Sequence, residues 1–263
     1  MDKIKVSAIQ MDIQFGQSEV NRQRLVDTMH RALKQQQSNV VLAPEMWNLG
    51  YDLENALKNG DRDGEMVKSS FTVIAKQYGS YIIPGSVANV RNIKVFNTTY
   101  VIDNHGDVRG YYDKIHLFRL MNEEKYLEPG NKRFTFDLYG HKAGIVICYD
   151  IRFPELIRSM ALDGMEVLFV PAEWPHPRLY HWRNLLIARA IENQMFVVAT
   201  NRVGSDPNNT FFGHSMIINP WGEVIAEGTE EEEIITAELD LSIVPEIRNR
   251  IPVFKDRKEE FYF

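Results

Sequence analysis

Short apolar runs alternate along this chain with longer stretches whose apolar positions recur every three or four residues. The first run, KVSAIQM (5–11), puts Val6 and Ala8 on one side of an extended segment, with Gln10 continuing the alternation; that period is a strand's. Residues 18–37 carry Val20, Leu25, Met29 and Leu33 near helical spacing behind Ser18, a suitable N-cap. NVVLAPE (39–45) is apolar at consecutive positions, which predicts a strand buried on both faces. A helix is expected at 64–78 and a strand at 81–87. Strands at 95–103 and 107–117 flank an Asn-His-Gly turn and read as a hairpin.

The second half repeats the alternation. Residues 134–150 predict a strand pair about Gly140, and 154–163 a helix with Pro154 in its first turn. A strand (166–174), a helix (181–194) and a strand (195–203) follow, then a hairpin-like pair, HSMIINP and EVIAEG, about Trp221 and Gly222. The acidic run from Glu230 to Glu233 reads as a solvated loop. NVVLAPEMW (39–47) and EVLFVPAEW (166–174) echo one another, each ending strand, Pro, Glu, Trp, as two similar layers of one domain would. The expected architecture is a single α/β domain over 1–263, its sheets covered by helices. The aromatic tail 245–263 is expected to dock, in packing or in dimerisation.

Composition narrows the classes. With 263 residues, 44% of them hydrophobic, the chain can build a sizeable core. The formal net charge is −6 and Lys and Arg are scattered rather than striped, which argues against nucleic acid as a partner. No apolar run approaches the length needed to cross a bilayer, so no membrane partner is expected. The N-terminus has charges where a signal peptide needs its apolar stretch. A single cysteine allows no internal disulfide, which fits a reducing compartment. A cytoplasmic protein is expected, in which the N-x-T sequons at Asn97 and Asn208 carry no meaning.

Phosphate-loop, dinucleotide-turn and serine-elbow motifs are absent, and the seven histidines show no metal spacing. What remains is positional. Glu45 ends one predicted strand, Cys148 ends another ahead of a helix, and Lys114 follows an alternating stretch. Side chains just beyond the carboxyl ends of strands converge where α/β folds bind ligands. A thiol, a carboxylate to take its proton and an ammonium to hold developing negative charge make a coherent set. Each residue also has a plainer reading: turn carboxylate, surface lysine, core cysteine. A pair of Cys148 with His116 or His181 is a competing arrangement.

The segments LAPEMW (42–47), DKIHLF (113–118) and ICYDIRFPE (147–155) resemble the three signature segments of the nitrilase, or carbon–nitrogen hydrolase, superfamily. The resemblance continues through EEKYLEPGN (123–131), PAEWP (171–175), NRVG (201–204), GHSMIINPWGEV (213–224) and IPVF (251–254), nearly the whole chain. It implies a four-layer αββα sandwich, a Glu45–Lys114–Cys148 triad and a second glutamate, Glu123, that holds Lys114; the neighbouring Glu124 competes for that position. It also implies a thioester acyl-enzyme, an oxyanion held by Lys114 and the Tyr149 backbone N–H, no metal or organic cofactor, and a homodimer or higher homo-oligomer.

Within the superfamily the chain is most similar to the omega-amidase branch, which implies a small-molecule amide substrate such as 2-oxoglutaramate or 2-oxosuccinamate. Such a substrate needs a cation for its distal carboxylate, and Arg119, Arg178 and Arg202 are unranked candidates. Trp174 is a candidate pocket wall. Asp150, Arg152 and Glu155 read as bracing for the nucleophile turn, with Arg152 pairing a carboxylate. An amidase for deaminated glutathione or an N-carbamoyl compound is the nearest alternative, and a catalytically silent binding protein a more distant one.

Overall fold

The computed structural model describes residues 1–262. Two sheets lie face to face, each backed by helices on its outer side. In the first, neighbouring strands run Glu233–Asp240, Lys3–Gln10, Val40–Leu42, Tyr81–Ile83, Lys94–Ile102, Ser86–Arg91 and Asp61–Arg62, with Val108–Asp113 also paired to Lys94–Ile102. In the second they run Val224–Glu227, Met216–Ile218, Phe196–Asn201, Val167–Ala172, His141–Ile145 and Thr135–Leu138. This is the expected four-layer αββα sandwich.

Strand alternation explains the layering. In Lys3–Gln10, Ile4, Val6 and Ala8 join Leu42, Ile83 and the second sheet's Ile145, Phe169 and Val198 in a core between the sheets. Ile9 and Val41 point the other way, onto Leu25, Met29 and Leu33 of the helix Ser18–Gln36 and Phe71 and Ile74 of the helix Glu65–Tyr78. Helices Pro154–Leu162 and Leu179–Asn193 cover the second sheet through Ile157, Met160, Leu186 and Ala190. Both sheets are therefore buried on both faces. Polar ties cross between them: Ser215 N–H and Oγ donate to Gln10 Oε1, both at 2.9 Å, and Val203 N–H donates to Met11 O at 3.2 Å.

Three expectations change. The strand Glu233–Asp240, over residues for which the sequence reading names no element beyond the acidic loop Glu230–Glu233, starts at that loop's last residue and pairs antiparallel with Lys3–Gln10 from Gln10 opposite Glu233 to Lys3 opposite Asp240. Its Ile235 and Leu239 enter the inter-sheet core. The segment expected as one strand at 81–87 breaks at Gly85, whose φ is +72°. A Cβ there would lie 1.9 Å from Pro44 O, so only glycine lets the chain pass behind Glu45. The tail docks in its own subunit as far as Phe254, which packs on the core beneath the Arg158 and Arg248 guanidinium groups. Among the described residues no helix is long and apolar enough to cross a membrane.

Candidate active site

Glu45, Lys114 and Cys148 each sit just past a strand end. Val40–Leu42 stops before Pro44, and Glu45 turns into the space between the sheets, fully buried. Lys114 follows Val108–Asp113 and is pinned by its own backbone, donating to Asn97 O at 2.9 Å and accepting from Gly130 N–H at 2.8 Å. Cys148 begins a short 3-10 helix, Cys148–Arg152, with φ at +47°. That angle is costly for a residue with a Cβ and persists only where the surroundings enforce it. Asp150 supplies the enforcement: its buried carboxylate accepts from Ile147 N–H (3.0 Å), Tyr112 OH (2.8 Å) and His116 N–H (3.0 Å).

The ammonium of Lys114 lies 2.9 Å from Glu45 Oε1 and 2.6 Å from Glu123 Oε1, with all three side chains sealed from solvent. Glu123 also accepts from Phe118 N–H at 2.8 Å, whereas Glu124 is exposed; the structure thus places Glu123, not Glu124, on Lys114. Glu45 collects further donors: Asn97 Nδ2 at 2.8 Å and Tyr51 OH at 2.9 Å on Oε1, and Glu173 N–H at 2.8 Å on Oε2. Burial pulls the Glu45 carboxyl up, but Lys114, helped by the hydrogen bonds from the Glu173 N–H and the Cys148 thiol, holds the group below its ordinary value. Burial, reinforced by the charge of Glu45, pushes the Cys148 thiol well above its usual range. Burial opposes the charge on Lys114, yet the two glutamates drive its pKa well up.

Neither histidine of the competing arrangement engages the thiol. His116 Nδ1 lies 2.7 Å from Asp150 and its ring stacks on Phe153; His181 Nδ1 lies 3.1 Å from Arg152 Nη2. Cys148 opens instead onto a recess lined by Phe118, Tyr149, Arg152, Trp174, Pro175 and Arg178. Trp174 is thus a wall of the recess; its N–H donates to Asn201 Oδ1 at 2.6 Å and its indole N–H to Arg178 O at 3.1 Å.

The arginine expectations sort by position. Arg178 lines the recess. Arg202 does not: it is buried, bonded to Glu173 Oε2 (2.9 Å), Asp12 Oδ1 (3.2 Å) and Ile13 O (2.7 Å), and so has no guanidinium edge to offer a substrate. Burial pushes its partner Glu173 up to about 8 despite that arginine. Arg119 is exposed and borders a neighbouring depression, which shares Phe118 and Tyr149 with the recess, but it does not line the recess itself. Arg152, expected as bracing paired to a carboxylate, has no such partner among the described residues; it lies over the Trp174 ring, 4.8 Å from its centre, and faces the recess. Sequence reasoning missed Tyr51 and Asn97 altogether. The sequon at Asn97 drew attention to a side chain that is in fact fully buried against Glu45.

The carbon-nitrogen hydrolase family profile matches residues 5–249. The chain belongs to the carbon-nitrogen hydrolase family. It is therefore a hydrolase of non-peptide carbon–nitrogen bonds. This carbon-nitrogen hydrolase is 46% identical over 260 residues to the 2-oxoglutaramate amidase of Bacillus subtilis (strain 168), covering 99% of this chain and 100% of that one. It is 31% identical over 273 residues to the omega-amidase NIT2 of Homo sapiens, covering 100% and 98% respectively. A crystal structure of a carbon-nitrogen hydrolase from Helicobacter pylori G27 superposes with a TM-score of 0.91 at 27% identity, covering 99% of this chain and 97% of that one. These likenesses place the hydrolase with the omega-amidase branch.

Proposed function

We propose that the protein is a thiol-dependent omega-amidase that hydrolyses the terminal amide of a short dicarboxylate monoamide such as 2-oxoglutaramate, with Glu45, Lys114 and Cys148 as its catalytic residues. The observation that carries this reading is the recess itself. A buried thiol at its floor is flanked by a carboxylate and an ammonium, and two arginines without carboxylate partners, Arg152 and Arg178, stand at its wall. The two guanidinium groups suit a distal carboxylate, which arginine grips in bidentate fashion.

The chemistry follows from the protonation directions. The thiol is neutral at rest and Glu45 is ionised, so attack on the amide carbon is coupled to proton transfer from Cys148 Sγ to Glu45. The oxyanion is held by the Lys114 ammonium and by the Tyr149 N–H, which lies in the first turn of the 3-10 helix where N–H groups lack intrahelical partners. Glu45 then gives its proton to the leaving nitrogen, ammonia departs and a thioester remains on Cys148. Water, deprotonated by Glu45, attacks that thioester; the acid leaves and the proton returns to sulfur.

The experiment is an ammonia-release assay over 2-oxoglutaramate, succinamate, deaminated glutathione, an N-carbamoyl amino acid and butyramide. The expected order puts the first two ahead of the rest. Failure to turn over any of them would refute the enzymatic reading, and preference for an N-carbamoyl compound would refute the omega-amide assignment. We also propose a homodimer in which Leu162 and Ile191, exposed on the two helices of the outer layer, become covered by a second copy.

A further inference from the structure

The hydroxyl of Tyr51 lies 2.9 Å from Glu45 Oε1 and 2.5 Å from Glu123 Oε1, and all three side chains are buried. A phenol has one hydrogen to donate. Were both glutamates anions, one of these contacts would set a phenol lone pair against a carboxylate oxygen with no hydrogen between them. In a water-excluded site that repulsion is poorly screened. Both contacts are hydrogen bonds only if one carboxyl carries a proton and donates it to the phenol oxygen.

The remaining partners say which one. Glu45 accepts from Lys114, Asn97 and the Glu173 N–H besides Tyr51. Glu123 accepts only from Lys114 and the Phe118 N–H besides Tyr51. Hydrogen bonds to the charged form favour charge, so the anion belongs on Glu45. We propose that Glu45 and Glu123 share a single proton through Tyr51, and that in the resting site it sits on Glu123, which donates to the Tyr51 oxygen while Tyr51 donates to Glu45.

The opposite pKa directions, Glu123 raised by burial and Glu45 held down by Lys114, agree with this placement. Tyr51 itself stays neutral, because burial and the two glutamates push its phenol well above its ordinary value. The other titratable groups facing the chain are Lys114, Cys148 and Glu173. Two concerted moves transfer the proton. The Glu123 hydrogen passes to the phenol oxygen, and the phenol hydrogen passes to Glu45 Oε1. The phenol is unchanged, Glu123 becomes the anion and Glu45 the acid. With the proton on Glu123, Glu45 is free to take another from Cys148; with it on Glu45, the base is blocked. Tyr51 is thus a positioning residue acting through the glutamates.

Two measurements test this, and only the second rests on the amidase reading. Infrared spectra of the substrate-free protein at neutral pH are expected to contain a protonated-carboxyl band that disappears in Glu123→Gln and is distinct from any band lost in Glu173→Gln. A Glu123→Gln spectrum identical to wild type in that region overturns the proposal. In Tyr51→Phe, Glu45 loses a donor to its charged form, so the acid limb of kcat/KM is expected to move up by about one pH unit. An acid limb that stays in place in a folded Tyr51→Phe protein also overturns it. If wild type turned over no amide, the infrared arm would still decide the proton's location.

Discussion

Burial pushes the Cys148 thiol up while the Lys114 ammonium holds Glu45 down, so the resting residues are thiol and carboxylate rather than thiolate and acid. This has a chemical consequence, because alkylating reagents attack the thiolate. Iodoacetamide should therefore modify Cys148 slowly at neutral pH, with a rate that rises only well above the ordinary thiol value of about 8.5. A neutral-pH plateau in the alkylation rate would show a preformed thiolate and contradict the coupled proton transfer. The arginines of the recess make a second prediction. Arg178→Ala removes a charge-assisted contact worth about 1.5–3 kcal/mol, so KM for 2-oxoglutaramate should rise roughly ten- to hundredfold. KM for the neutral amide butyramide should hardly move. An equal loss for both substrates would place Arg178 outside carboxylate binding.

Among the elements, the strand ends do the placing. Pro44 and Gly85 pass so closely that a Cβ on Gly85 would sit 1.9 Å from Pro44 O, one residue from Glu45. Gly85→Ala combines that clash with a positive φ, and should destabilise the fold by about 2 kcal/mol or more. Thermal unfolding would show a lower Tm, and activity would fall with it as Glu45 shifts; unchanged Tm and kcat would contradict this placement. Much of this layer was legible. Apolar runs and alternation marked most of the strands of both sheets, and the Pro-Glu-Trp echo suggested two similar layers; Glu173 was not singled out, and only the fold brings its backbone N–H to Glu45 through a 2.8 Å hydrogen bond. The strand Glu233–Asp240 went unread because its first residue belongs to a run of solvated acids, although its Ile235, Ala237 and Leu239 alternate onto the core. Tyr51 and Asn97 were hidden for another reason. They lie in a turn and a mid-strand position with no motif of their own, and only the fold brings them to Glu45.

In the whole molecule, the site exists because two sheets, each buried on both faces, deliver their strand ends to one place: Glu45 and Lys114 from the first sheet, Cys148 from the second. The outer helices of the second sheet leave Leu162 and Ile191 exposed. Sedimentation equilibrium should therefore give twice the 30.5 kDa chain mass; a monomer at micromolar concentration would remove the proposed dimer. The arginine assignment was only partly legible from sequence. Burial and pairing of Arg202 with Glu173 depend on how the strand ends meet, which no linear pattern states. The central claim is that Cys148 carries the acyl group. Its most direct test compares wild type with Cys148→Ala in ammonia release from 2-oxoglutaramate, with hydroxylamine added to divert the thioester. The account predicts ammonia and a hydroxamate from wild type and neither from Cys148→Ala. Turnover by Cys148→Ala at the wild-type rate would contradict it.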